Sequence, residues 1–380
     1  MAKKTDRKRK VVLVFQGGGA LGSFQVGGLE ALHEHGYYAD MVVGISIGGI
    51  NAAIIAGNPP EKRLENLKKF WDKITVDVPL PHIPFMGTAK IHNYVGAQHA
   101  LINGQPGFFK PKLLSPWLLS HVSPDVLSFY DTTPLRQTLE ELIDFKYLNE
   151  GHVRLCLGAT ELNSGDFVFF DSHQEPIKIE HIMASGALPP GFPAIKIGKQ
   201  YYVDGGVYAN TPLSKVLDEF ASNADDIQNV LCFMFDLFSA GGPLPHTMDG
   251  MLERIKDIQF SSHSKRVNSI YATAQNLSHA IKFLVDKLPP EIRNQPEVQE
   301  VAKLGYAHRL DLVHVIYHSR KGTELNSKDY NFSAKAAAIH CQQGYKITNQ
   351  LIEEKQQEWE RIRHEGLVVY TLDEERIKAV

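Results

Sequence analysis

An α/β fold with a mainly parallel central sheet is what this sequence of 380 residues predicts, on three observations. Apolar, strand-like segments at 11–15 and 41–43 each run into a glycine-bearing turn and then a helical stretch, at 20–35 closed by Gly36 and at 47–57. Such alternation builds a parallel sheet with helices on its faces. The run 230–238 is almost wholly apolar, as a strand covered on both faces must be. With 43% hydrophobic and 22% charged residues, the chain can bury one large core or two modest ones.

Taken in order, residues 1–10 form a basic arm carrying Lys3, Lys4, Arg7, Lys8, Arg9 and Lys10. Its plain reading is a solvated terminus; its sharper one is peripheral contact with anionic lipid. The apolar stretch 11–15 is too short for a secretory signal, and no apolar run reaches the roughly 18 residues of a membrane span. The segment 79–130 breaks the strand–helix alternation with prolines and with Phe85, Met86, Phe108, Phe109, Trp117, Leu118, Leu119, Phe129 and Tyr130, and it reads as an inserted apolar cap. A helix at 133–143 follows, then strands at 153–159 and 167–170, a proline-rich bend at 184–193, and strands at 194–197 and 201–203. Beyond Gly241-Gly242-Pro243 the chain turns helical, with apolar residues every three or four positions up to Leu288-Pro289-Pro290. A strand at 310–317 and a helix at 333–361 complete it. The expected organisation is thus an arm at 1–10, a domain at 11–240 and a mostly helical extension at 241–380 packed on the core.

Charge and cysteine content narrow the function. A net charge of −3 supplies no field for phosphate neutralisation, so no nucleic-acid partner is expected. Cys156, Cys232 and Cys341 make neither a disulfide framework nor a Cys-x-x-Cys pair, which suits a reducing, cytoplasmic setting. No metal and no cofactor are expected. His33 with His35, and His314 with His318, lack the clustered acids or thiols of a metal site.

Three places could carry chemistry. Gly44-Ile45-Ser46-Ile47-Gly48 lies between a strand and a helix, where Ser46 would stand on a sharp turn whose flanking glycines remove colliding Cβ atoms. The helix start behind it favours developing negative charge. The plainer reading is a capping serine at a tight helix entry. Gly17-Gly18-Gly19-Ala20-Leu21-Gly22 joins the first strand to its helix, and its backbone N–H groups can converge on an anion. Gly17, Gly19 and Gly22 also fit a dinucleotide fingerprint with Asp40, but Asp40 precedes the second strand, whereas a ribose-binding acid belongs at that strand's far end. Asp204, in Val203-Asp204-Gly205-Gly206, follows a short apolar strand and is either a functional acid or a common Asp-Gly turn.

In this order, the three features resemble the patatin-like phospholipase family, of the bacterial type with a C-terminal helical extension. The resemblance covers about 10–238. It is strengthened by Ala184-Ser185-Gly186-Ala187-Leu188-Pro189-Pro190-Gly191-Phe192-Pro193, and by Asn210 and Pro212 after Asp204-Gly205-Gly206. The resemblance implies a three-layer α/β/α fold with Ser46 as nucleophile, Asp204 as its base, oxyanion donors from Gly17, Gly18, Gly19 and Ala20, and supporting glycines at 44, 48, 205 and 206. Leu21 stands where many members carry Arg or Lys. The chemistry implied is hydrolysis of lipid-like acyl esters by a dyad, in a site dry enough to raise the carboxyl pKa. Phe108, Phe109, Trp117 and Leu118 of the cap are the candidates for acyl-chain contact, against a plainer role in the core. Three alternatives stand beside this reading. One is hydrolysis of short hydroxyacid oligoesters on the same dyad. Another is an α/β-hydrolase triad using His314 or His318, which the scarcity of strands before Ser46 argues against. The third is a non-catalytic lipid-binding module. Oligomeric state is not legible.

Overall fold

In the computed structural model, the described residues are 9–78, 88–222, 229–261, 264–305, 309–319, 324–361 and 366–372. Most of the basic arm, together with Phe85 and Met86 of the cap, lies outside them. The strands are β1 (Lys10–Phe15), β2 (Met41–Ile45), β3 (Lys110–Pro111), β4 (Tyr130–Asp131), β5 (Arg154–Glu161), β6 (Phe167–Asp171), β7 (Ile195–Ile197), β8 (Gln200–Asp204), β9 (Asn229–Asp236), β10 (Arg309–Ile316) and β11 (Leu367–Tyr370). The helices of the first half are α1 (Ser23–Glu34), α2 (Ile47–Ala56), α3 (Pro60–Ile74), α4 (Thr88–Asn103), α5 (Thr133–Leu142), α6 (Phe145–Asn149) and α7 (Ile179–Ser185). They are followed by α8 (Leu213–Ser222), α9 (Met248–Phe260), α10 (Ser264–Lys287), α11 (Pro290–Arg293), α12 (Pro296–Ala302) and α13 (Ala334–Glu360).

Nine strands form one sheet in the order β11-β10-β9-β1-β2-β5-β8-β7, with β6 also on β5. The five from β11 to β2 and the β2–β5 pair are parallel; β6, β7 and β8 run antiparallel to their neighbours. The parallel strands are apolar almost throughout because helices cover both faces. Register sets up the site: Phe15 lies beside both Gly44 and Phe235, so the turns that leave β1, β2 and β9 emerge together at one edge of the sheet. In α/β sheets this carboxyl edge is where ligands bind. β8 returns along β5 and brings Asp204 opposite Ala159, next to Gly158, which pairs with Ile45.

The residues after 241 are part of this sheet as well as of the helical layer. β10 extends β9 along its whole length, and β11, a strand the sequence pattern does not announce, extends β10. Of the basic arm, Arg9 is held down, by an ion pair to Asp311 on β10 and a 2.7 Å hydrogen bond to the Trp359 carbonyl on α13. Asp40 accepts a 2.8 Å hydrogen bond from the Val11 N–H, at the end of β1 opposite the glycine turn. That contact leaves it no part in a dinucleotide site.

Helix α13 crosses α1 at backbone distance, and two glycines make this possible. A Cβ on Gly27 would lie 1.8 Å from the Cys341 carbonyl oxygen, and one on Gly344 would lie 1.9 Å from that of Phe24. Alanine improves an isolated helix by about 1 kcal/mol over glycine. Here the clash with backbone outweighs it, since overpacking costs about 1–3 kcal/mol or more. Gly344→Ala is therefore expected to lose about 2 kcal/mol of stability, read as a lower urea midpoint at unchanged slope.

Candidate active site

Ser46 occupies the N-cap position of α2 without a side-chain cap hydrogen bond, at φ 56°, ψ −129°, a backbone conformation that a non-glycine residue adopts only when its surroundings impose it. Its N–H donates to the Ser185 carbonyl at 2.9 Å, with the Ser185 hydroxyl 3.2 Å away. The flanking glycines let the turn close: a Cβ on Gly44 would sit 2.3 Å from the Gly48 carbonyl oxygen, and one on Gly48 would sit 2.5 Å from that of Phe15.

Asp204 ends β8 and is 1% exposed. Its Oδ1 accepts from the Gly206 N–H at 2.7 Å, which opens a single 3₁₀ turn, while Oδ2 has no hydrogen bond of ordinary length. Burial dominates its titration and pushes the pKa up to about 7; the facing Ser46 hydroxyl and the Gly206 N–H pull only partly in the other direction. The structure thus brings Ser46 and Asp204 together. Gly205 and Gly206 pack beside them: a Cβ on Gly205 would lie 2.7 Å from the Gly158 carbonyl oxygen, and one on Gly206 would lie 3.1 Å from Asp204 Oδ1.

The glycine turn lies against the serine, since a Cβ on Gly17 would be 2.9 Å from Ser46 Cβ. Gly17, Gly18 and Gly19 line the cleft, and the Gly17 N–H is directed to the Asn210 carbonyl at 3.4 Å. Ala20 is buried and does not line the cleft. Polar side chains hold this turn, and apart from Asn210, noted above as a motif residue, the sequence did not mark them. Gln16 donates to the Phe260 carbonyl (2.8 Å) and Thr211 Oγ1 (2.9 Å), and accepts from the N–H groups of Leu237 and Phe238. Gln25 donates to the Gln16 carbonyl at 2.8 Å; Asn51 donates to Gln25 Oε1 at 2.8 Å and to the Gly22 carbonyl at 3.1 Å; Trp71 Nε1 donates to Asn51 Oδ1 at 3.1 Å. Asn210 donates to the carbonyls of Gly17 and Phe260, both at 3.1 Å. The signal that could have found Asn51 is an amide inside the apolar run of α2, where burial demands partners.

A cleft of about 1020 Å³, measured out to its open mouth, leads to Ser46 and Asp204. Phe108 and Phe109 line it and also belong to the core, in an aromatic cluster with Phe192, Tyr130 and Phe332 whose centroids are 4.8–6.3 Å apart. Trp117 and Leu118 are not among the lining residues; they stand on the surface, 83% and 74% exposed. The cleft is completed from far along the chain by Phe260 at the end of α9 and by Asp329, Tyr330 and Phe332. The Asp329 carbonyl oxygen would lie 2.3 Å from a Cβ on Gly19, itself at φ 54°. His314 is buried with Nε2 2.6 Å from Asp236 Oδ2, and neither it nor His318 lines the cleft, so the triad alternative finds no base there. Among the described residues, no cluster of three or more His, Cys, Asp or Glu could hold a metal ion.

A serine on a strand–helix elbow, with a buried carboxyl group and a glycine turn closed around it at the carboxyl edge of a mainly parallel sheet, places the chain among α/β proteins with a strand–turn–helix serine elbow. Residues 13–217 match the model of the patatin-like phospholipases, and the chain belongs to that family. Residues 258–364 match a second model, described as patatin phospholipase. The cGAMP-activated phospholipase of Escherichia coli (strain TW11681) is 27% identical over 230 residues, 54% of this chain and 54% of that protein, so the chain matches about half of its relative's length. Among solved structures, VipD from Legionella pneumophila aligns over 91% of this chain and 67% of its own, at 16% identity and a TM-score of 0.41. Human GIVD cytosolic phospholipase A2 aligns over 93% and 59%, at 12% identity and a TM-score of 0.42.

Asn210 fixes the glycine turn without lining up as nucleophile or base, so its loss should blunt the reactivity of Ser46 while leaving the fold intact. Asn210→Ala is expected to slow fluorophosphonate labelling of Ser46 by about tenfold or more, short of the roughly 100-fold or greater loss seen when an oxyanion donor itself is removed.

Proposed function

We propose that this protein hydrolyses carboxylic ester bonds of lipid-like substrates, with Ser46 as nucleophile and Asp204 as its base. The observation that carries the reading is the buried carboxyl, its pKa raised to about 7, facing the hydroxyl of a serine held at positive φ. An ordinary carboxylate near 3.9 is too weak a base for a hydroxyl; one near neutrality is poised for it. In the first step Asp204 takes the Ser46 proton as Oγ attacks the ester carbonyl, and the N–H groups of Gly18 and Gly19 stabilise the oxyanion. The protonated Asp204 then gives its proton to the departing alcohol, leaving Ser46 acylated. Water, deprotonated by the same carboxylate, releases the acid and restores the serine. The apolar cleft supports acyl chains as the group bound, and family membership supports a lipid. Hydroxyacid oligoesters are the competing substrate class, and a turnover panel of diacyl phospholipids, short acyl esters and such oligoesters separates the two.

Two results test the dyad. Stoichiometric fluorophosphonate labelling is expected in the wild type and in Ser185→Ala but not in Ser46→Ala; a protein that never labels would be the non-catalytic lipid-binding module instead. Asp204 must be ionised to act, so kcat/KM should fall about tenfold for each pH unit below 7. Asp204→Asn should lower turnover at least about 100-fold; turnover within a few-fold of wild type would remove Asp204 from the role.

The same carboxyl makes a stability prediction. Its folded pKa lies above its unfolded value, so its ionisation weakens the fold progressively as pH rises from about 4 to 7. Asp204→Asn retains the acceptor for Gly206 and carries no charge. It should melt at least a few degrees above the wild type at pH 8, with the advantage vanishing towards pH 4.

A further inference from the structure

Helix α9 and the segment that follows Glu324 carry the same dipeptide, Lys256-Asp257 and Lys328-Asp329, and the four charges pair crosswise. Lys256 Nζ lies 2.7 Å from Asp329 Oδ1, and Lys328 Nζ lies 2.7 Å from Asp257 Oδ1. Lys256 also donates to the Asn326 carbonyl at 2.6 Å, and Lys328 reaches Glu253 Oε1 at 3.3 Å. All four side chains are largely withdrawn from water. Burying ions costs solvation, so pairs of this kind add little to stability. What the crossed arrangement secures is register. A slip of one residue would set Lys256 against Lys328 or Asp257 against Asp329, so neighbouring alignments of the segment on α9 are penalised by like charges.

Both sides of this clasp bear on the glycine turn. From the segment, the Asp329 carbonyl stands over Gly19, where a Cβ would lie 2.3 Å from it. From the helix, the Phe260 carbonyl, within a turn of Asp257, accepts from Gln16 at 2.8 Å and from Asn210 at 3.1 Å, and Asn210 in turn donates to the Gly17 carbonyl. Lys328 Nζ also stands 6.0 Å from the ring of Phe238, whose N–H donates to Gln16. We propose that the crossed clasp holds the glycine turn in the shape that presents its N–H groups to an oxyanion, and that Lys256 is a positioning residue for that step, an inference that rests on the ester-hydrolase reading above. Lys256 does not line the cleft, so it acts through Asp329 and not on the substrate. Oxyanion donors are engaged most strongly as charge develops in the transition state, so misplacing them lowers kcat and leaves KM nearly unchanged.

The test uses the full chain, a fluorophosphonate and a soluble short-chain ester. Lys256→Met, which keeps the apolar stem and removes the charge, should slow labelling of Ser46 and lower kcat about tenfold, with KM within about twofold of wild type. Lys256→Arg keeps the cation and should recover most of the lost rate. Lys215→Met is the matched control: it takes a similarly withdrawn lysine from a 2.9 Å pair with the buried Asp171, which lies beside Cys156 at the end of β5 away from Asp204. It should leave kcat within about twofold even where it lowers the melting temperature. Labelling carried to completion counts the folded molecules, and rates are read on that fraction, so partial unfolding of a variant does not imitate the effect. Lys256→Met within twofold of wild type in kcat, no recovery in Lys256→Arg, or an equal fall in Lys215→Met overturns the proposal. A wild type that neither labels nor turns over an ester removes the hydrolase reading and this inference with it, whereas labelling and turnover at Ser46 that ignore Lys256 remove this inference alone.

Discussion

A carboxyl group kept out of water beside a hydroxyl is the constraint around which this molecule is built. Ionised, Asp204 would be better solvated almost anywhere else, and its one well-formed hydrogen bond, from the Gly206 N–H, does not make good the loss of water. The sheet bears that cost. β8 is pinned to β5 by its ladder, and the Asp204 N–H is tied to the Ala187 carbonyl at 3.0 Å, so the acid has no room to swing outward. Ser46 is confined in the same way, through its N–H to Ser185, a residue of the same bend. One short segment, from Ser185 to Ala187, therefore positions both groups.

The glycine turn is governed less locally. Its shape is read from the Gln16–Gln25–Asn51–Trp71 chain beneath it, from Asn210 beside it and from the Asp329 carbonyl above it. Each of the buried amides is satisfied through another, so the network is worth more intact than as separate bonds. The loop around Asp329 is itself clamped by Lys256 and, through Lys328, by Asp257. The part of the chain matched by the second family model thus packs against the glycine turn of the part matched by the first.

How far this was readable from sequence follows from the range of the interactions. The β1 and β2 segments were legible because they are continuous apolar runs ended by glycines; Ser46 and Asp204 stood out by their glycine neighbours, but locally they could equally be a capping serine and an Asp-Gly turn, and only the resemblance to the family joined them. The Phe260, Tyr330 and Phe332 contributions were not, since nothing local marks an aromatic residue as one that will meet a cleft built around a serine far earlier in the chain. Trp117 and Leu118 show the converse failure. Apolarity within a cap fixes neither inward nor outward orientation, and these two face solvent. β11 escaped notice because four residues carry too little periodicity to distinguish a strand.

The pairing of β10 with β9 has a practical corollary for anyone trimming the gene to its recognisable half. Cutting after the ninth strand would strip the neighbour from a ribbon whose side chains, Val230 to Asp236, are all buried. It would leave a bare row of amides and carbonyls ready to recruit other molecules. Such a fragment would fail by precipitating, and an assay on it would say nothing about what Ser46 and Asp204 do.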